Sequence, residues 1–260
     1  AVNHFTWLTS ANYKNIDLFP LYREFCEKYA ETGYGKNGNV DKNWMNNMFV
    51  SEEKVKMDLF LRYGLIAAAG DRHLAEFCNG EWYLKDPERV AEMHFSLTTV
   101  AFRKENLKER LENSRKMISG EKEVTVEGTG EEGVHQIRAL LGLCELVTNV
   151  NIPNVGQIPN LPLGAVVETN AVFRDNSVTP VSAGDIPKEI YTLVSRIVGE
   201  QELAEEGIHE RDLDKIFCAF ISDPLLGKLS ISDAKALFKE MIENTQEYLT
   251  LFDLKKLGIE

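Results

Sequence analysis

Between Val147 and Val178 the sequence stops following helical spacing, and that interruption limits the folds open to it. Elsewhere apolar residues recur three and four apart, as in Leu18, Leu21, Tyr22, Phe25 and Tyr29, or Ala234, Leu237, Phe238, Met241 and Ile242. Inside the interruption, Val147 to Pro153, Ala165 to Thr169 and Val172 to Val178 read as short strands. Pro153, Asn154, Gly156, Pro159, Asn160, Pro162 and Gly164 punctuate the connections between them. Ser51 with Glu52 and Glu53 behind it opens a helix over 51–63. Asp86-Pro87 opens another, expected to run to about residue 117, apolar at first and then strongly charged. A further helix starts near Glu131, and Ser230-Ile231-Ser232-Asp233 resembles a capping-box entry. The expected fold is α+β, mainly helical with a small, mostly antiparallel sheet.

The formal charge of −12 argues against phosphate backbones and anionic lipid as partners. No apolar run approaches the roughly 18 residues of a membrane helix. Residues 1–15 lack the basic start and apolar block of a secretory signal. Cys26, Cys78, Cys144 and Cys218 follow no zinc spacing, and Cys26, Cys144 and Cys218 sit among apolar residues as expected of buried thiols. A reducing, cytoplasmic compartment follows as the expectation. The opening residues read as the middle of a strand with no initiator Met, so the chain is expected to start inside a longer protein. Gly128-Thr129-Gly130-Glu131-Glu132-Gly133 is a weak imitation of a phosphate loop, because its glutamates repel a pyrophosphate.

Two short segments carry candidate chemistry. His4 lies in an alternating stretch with Val2 and Thr6 on its face, and Asn3, Phe5 and Trp7 on the other. By itself it is either a core histidine or one ligand of a metal that needs others. Gly70-Asp71-Arg72-His73 ends an apolar turn, with Glu76 one helical turn beyond. It is either a charged helix start, with Asp71 as cap, Arg72 solvated and His73 paired to Glu76, or an acid/base cluster in which Arg72 fixes an anion. Tyr63 is either a core tyrosine or a base brought close by the turn from Gly64 to Gly70. His135 and Arg138 share a helical face, where an ion pair competes with carboxylate binding. His94 and His209 read as packed or solvated, and Asn151, Asn154 and Asn160 as turn formers.

In combination, Val2-Asn3-His4-Phe5-Thr6-Trp7, Arg62-Tyr63-Gly64, Gly70-Asp71-Arg72-His73, Gly130-Glu131-Glu132 and the run from Asn149 to Pro162 with Val166-Val167-Glu168 resemble one family. That family is glycoside hydrolase family 4, its C-terminal domain, and its α-galacturonidase and α-glucosidase-like members in particular. The resemblance covers essentially the whole chain. It implies an architecture related to the C-terminal domain of lactate and malate dehydrogenases. It also implies an NAD-dependent exception to two-carboxylate glycoside hydrolysis. C3 of the sugar is oxidised, the ketone acidifies C2–H, a base removes that proton, and a divalent metal, usually Mn2+, stabilises the enediolate. By position His4 matches the metal-ligand histidine and Asn3 a substrate contact. Asp71 or Tyr63 matches the base, with Asp71 preferred because the Gly-Asp pair is kept. Arg72, His73 and Arg138 are candidates for binding substrate, Arg72 or Arg138 for a uronide carboxylate.

The resemblance also implies what residues 1–260 lack. The family's second metal ligand, a cysteine, and its Rossmann NAD-binding domain precede the Asn-His motif. The whole chain is therefore expected to be the C-terminal catalytic and substrate domain, with a sugar or uronide substrate, the NAD-binding domain as partner and a tendency to form homo-oligomers. Rival expectations are a dehydrogenase acting on a hydroxy acid and a non-catalytic helical module docking through 103–132.

Overall fold

The structure, a computed structural model, describes residues 4–34, 42–45, 47–126, 128 and 130–259. It opens with β1 (Trp7–Leu8), β2 (Asn12–Tyr13), β3 (Ile16–Asp17) and α1 (Phe19–Tyr29). Then come α2 (Lys54–Tyr63), β4 (Ile66–Ala67), α3 (Asp71–Phe77), α4 (Gly80–Tyr83), α5 (Pro87–Glu92), α6 (Val100–Ser119) and α7 (Gly133–Leu140). The sheet strands β5 (Leu146–Pro153), β6 (Val166–Arg174) and β7 (Ser177–Pro180) precede α8 (Lys188–Glu210), α9 (Leu213–Ser222) and α10 (Ile231–Thr245). All strand pairings are antiparallel: β1 with β4, β2 with β3, and β5-β6-β7 as a meander. This is the expected α+β domain, mainly helical with small antiparallel sheets. Among the described residues no helix is long and apolar enough to cross a membrane.

The main core joins Phe5, Leu59, Leu74, Phe95, Val167 and Ile190, so it takes side chains from both ends of the first three-quarters of the chain. A second cluster, around Leu213, Phe238 and Ile242, holds the C-terminal helices together. Ser230 caps α10 as expected, its Oγ accepting from the Asp233 amide at 3.2 Å.

Several elements differ from the sequence reading, each for a local reason. The long helix expected from Asp86 is two helices. Asp86 does cap α5, but His94 turns into the left-handed region (φ 56°) and α6 restarts behind a Thr99 cap. His94 is held there by the fully buried Glu52, which pairs with its Nδ1, and by the Trp44 ring stacked at 5.2 Å. The two strands expected over 165–178 are the long β6 and a hairpin partner, because Asp175-Asn176 forms a two-residue turn with both φ positive, 43° and 60°. Among the described residues the strand expected at the start is Trp7–Leu8, and His4 sits in a turn with φ 68°. Of the thiols expected to be buried, Cys26 is enclosed, Cys144 is half-buried and Cys218 is exposed, while Cys78 is buried instead. α6 has no buried residue, in keeping with its charged second half.

Two buried polar side chains organise connections. Asn154 is 1% exposed, and its Nδ2 donates to the carbonyls of Ile158, Leu161 and Pro162 at 2.9–3.0 Å. Its Oδ1 accepts from the Gly156 and Ile158 amides at 3.2 Å, so one side chain holds the whole Pro/Gly loop. Asp71 has no exposed surface, and its Oδ1 accepts from the Lys56 amide at 3.0 Å in the first turn of α2. It therefore caps α2 rather than its own helix. Burial, and secondarily the Glu53 charge, raises its carboxyl to about 7 against the pull of the Lys56 and Val55 amides.

Asn154→Ala is expected to cost about 3 kcal/mol in a denaturant titration, from roughly 1 kcal/mol per lost neutral hydrogen bond with some freed groups reaching water. A loss below about 1 kcal/mol would show that the loop holds itself. For Asp71 the folded state keeps its proton longer than the unfolded chain does, where the value is about 3.9. Its contribution is complete below pH of about 4 and is lost as pH rises to about 7. The decline in melting temperature across that window should be shallower in Asp71→Asn; equal slopes would place the buried proton elsewhere.

Candidate active site

The pairing of β1 with β4 assembles the site. Trp7 lies opposite Ala67 and Leu8 opposite Ile66, and the Ala68 amide extends the ladder to the Thr6 carbonyl at 2.8 Å. Residues 4–8 thus run beside the turn that leads into α3. Alternation along them puts Phe5 and Trp7 into the core and leaves Thr6 on the open side, where His4 also lies in the turn ahead of Phe5. The His4 and His73 rings stack with centroids 4.4 Å apart and planes 9° from parallel. His73 Nδ1 lies 3.5 Å from Glu76 Oε2, and Arg72 Nη2 lies 3.5 Å from His73 Nε2.

The three-stranded sheet supplies the opposite wall. One face of β5 and β6, with Leu146, Val150, Ala171 and Phe173, is covered by α7 through Ala139 and Leu140. The other face carries two polar cross-strand pairs, Asn149 opposite Asn170 and Asn151 opposite Glu168. Thr6 Oγ1 donates to Glu168 Oε2 at 2.6 Å and joins this face to the His4 segment. Between them lies a cavity of about 630 Å³, lined among others by His4, Thr6, Trp7, Asn149, Glu168 and Asn170. Its size suits a small molecule. Its groups are hydroxyls, amides, one carboxylate and one imidazole, and no Lys or Arg is among the described residues lining it. Such a wall offers donors and acceptors to a polyhydroxylated ligand, and a cation for an anionic ligand has to come from outside this lining. A cleft of about 570 Å³ between α8, α9 and α10 is mostly apolar and has none of the motif residues. Glu200 on its wall is raised to about 7, first by burial and then by the charge of Asp223.

The sequence candidates fare differently. Asn3 lies outside the described residues. His4 lines the cavity and His73 stacks upon it. Arg72 is not solvated: its Nη1 donates to the Met48 carbonyl at 2.8 Å and Thr98 Oγ1 at 2.6 Å, and the guanidinium lies over the Phe49 ring. Asp71 is sealed behind α2 and α3. Tyr63 is half-buried, meets Trp7 edge-on at 6.0 Å, and has its phenol raised by burial. Arg138 is exposed on α7, outside the cavity lining. Asn170 was not singled out by the sequence, and Thr6, Asn149 and Glu168 stood there only as parts of motifs, with no role of their own. Their one signal is strand register, which appears once β5 and β6 are paired. Among the described residues no three metal-ligating side chains gather, so the ligand set of a metal is not completed by them, and His4 is the candidate ligand on the cavity lining.

The family 4 glycosyl hydrolase C-terminal domain matches this chain over residues 2–226. An α-galacturonidase of Thermoanaerobacterium saccharolyticum is 56% identical over 254 residues, which are 98% of this chain and 54% of that protein. A Bacillus subtilis protein whose crystal structure is described as that of a glucosidase superposes with a TM-score of 0.84 at 45% identity, over 92% of this chain and 54% of the other. The fold also recurs in a Thermotoga maritima 6-phospho-β-glucosidase crystallised with manganese, NAD+ and glucose-6-phosphate, at a TM-score of 0.61 and 20% identity, over 95% of this chain and 51% of that one. The chain spans about half the length of these relatives. On sequence and fold together, it belongs to family 4 of the glycosyl hydrolases, as the C-terminal domain of that family.

Proposed function

We propose that this chain is the substrate-facing half of an α-glycosidase acting on α-galacturonides or related α-glycosides, completed by an upstream NAD-binding domain. The observation that carries the reading is the stack of His73 on His4, which lines a sugar-sized, partly polar cavity, in a chain 56% identical to an α-galacturonidase. Asn149, Asn170 and the Thr6–Glu168 pair offer the alternating donors and acceptors that sugar hydroxyls need. NAD, when bound, would supply hydride acceptance at C3, and Mn2+ would supply charge stabilisation to the oxygens at C2 and C3. His4 fits as one ligand of a cation whose other ligands come from the upstream half.

Geometry favours Tyr63 over Asp71 as acceptor of the C2 proton. The Asp71 carboxyl is enclosed and committed to the start of α2. Tyr63 keeps exposed surface and packs on the cavity-lining Trp7. Its raised phenol opposes the role, so a neighbouring cation must favour the phenolate; Arg62 acts in that direction. For a uronide carboxylate the chain offers Arg72, pinned beside His73 by Met48 and Thr98.

The reading is tested with p-nitrophenyl α-galacturonide, glucuronide, glucoside and galactoside, each with NAD, Mn2+ and a reductant. The chain alone and the chain joined to its upstream half are compared. Turnover is expected from the joined protein alone, fastest on the galacturonide; turnover by the isolated chain would overturn the half-site. In the joined protein Tyr63→Phe should lower kcat by about 10²- to 10⁴-fold, as loss of a general base does, and an unchanged kcat would return the role to Asp71. Arg72→Ala should raise KM for uronides far more than for neutral glucosides. Equal effects on both would remove Arg72 from carboxylate recognition.

A further inference from the structure

His4 occupies an exposed turn just ahead of β1, with its backbone in the left-handed region at φ 68°. Among the described residues its ring makes no hydrogen bond, and its recorded ring contact is the stack on His73. An exposed imidazole without such a contact samples several rotamers, and a ligand or contact residue that does so loses entropy on every binding event. His73, by contrast, stands on α3, two residues past the fully buried Asp71 and next to the buried Leu74. Its ring is flanked at both nitrogens, by Glu76 Oε2 on its own helix and by Arg72 Nη2, each at 3.5 Å. Arg72 is itself fixed by the Met48 carbonyl and Thr98 Oγ1. The rigid partner in the stack is therefore His73 and the mobile one is His4.

We infer that His73 is a positioning residue: by stacking face to face at 4.4 Å it fixes the plane of the His4 imidazole at the cavity and transfers the rigidity of α3 to a residue on an exposed turn. The use of that fixed plane rests on the functional reading above, in which His4 is a metal ligand. Outer-shell partners that orient a metal-bound imidazole by hydrogen bonding are worth about 10- to 100-fold in metal affinity, which sets the upper scale for a stack. An incidental surface histidine paired to Glu76 has the same neighbours on α3 but no such effect on His4.

The test has two arms. In this chain, labelled with 13C at the ring ε1 carbon of its five histidines, the His4 signal is assigned by His4→Ala. Its proton should be displaced upfield by the facing ring, move downfield in His73→Ala, and stay upfield in His73→Phe, which keeps an aromatic face. An unmoved His4 signal in His73→Ala overturns the inference. In the protein joined to its upstream half, Mn2+ affinity is measured by titration. His4→Ala should abolish binding, His73→Ala weaken it about 10- to 100-fold and His73→Phe restore most of it. Wild-type affinity in His73→Ala, with binding lost in His4→Ala, overturns the inference and leaves the functional reading standing. Wild-type affinity in His4→Ala overturns the functional reading, while the first arm still decides the stack.

Discussion

The two-residue pairing of β1 with β4 is the contact on which the rest of the site depends. It is short, yet it brings together segments some sixty residues apart, and loop closure over that distance has to be offset by burial. Phe5 and Trp7 supply it on one side of the segment, packed against each other at 5.3 Å and against Phe77 and Tyr63. Because successive residues of an extended segment point to opposite sides, sinking Phe5 and Trp7 into the core turns Thr6 outward, and the buried Phe5 anchors the turn that carries His4. The position of the His4 ring is thus a consequence of hydrophobic burial one residue away.

Helix and strand content were legible because periodicity reports burial, and burial is what these elements share. Asp86 and Ser230 were readable as caps for the same local reason. His94 was not, since what breaks the helix after α5 is a buried carboxylate forty-two residues earlier and a tryptophan still further back. Asp71 shows the same limit in a sharper form. Its type and position after Gly70 announce a helix cap, and it is one, but for α2 rather than for α3. No pattern in the linear sequence says which helix start a carboxylate will reach. The resemblance to family 4 named His4 and the Gly-Asp-Arg-His segment. It gave Asn149 no role and left Asn170 unmarked, although the two stand opposite each other once the register of β5 and β6 is known.

The open face of the three-stranded sheet limits what can cover it. Val147 and Val172 at one end and Val166 at the other are apolar, while Asn149, Asn151, Glu168 and Asn170 between them are not. An apolar cover would strand those amides and the carboxylate, at about 1–3 kcal/mol for each polar group left without a partner. Water satisfies them in the isolated chain. Whatever displaces the water has to bring hydroxyls or amides of its own, spaced to match a ladder in which the strands are about 4.8 Å apart. A pyranose meets that demand, because its ring hydroxyls project at comparable intervals and each both donates and accepts. The Thr6–Glu168 hydrogen bond then sets the orientation of the carboxylate before a ligand arrives, so that one rigid acceptor confronts it instead of a freely rotating one. The polar wall and the apolar burial that positions it follow from one alternation along β6, in which Val167, Ala171 and Phe173 face the core and Glu168 and Asn170 face the cavity.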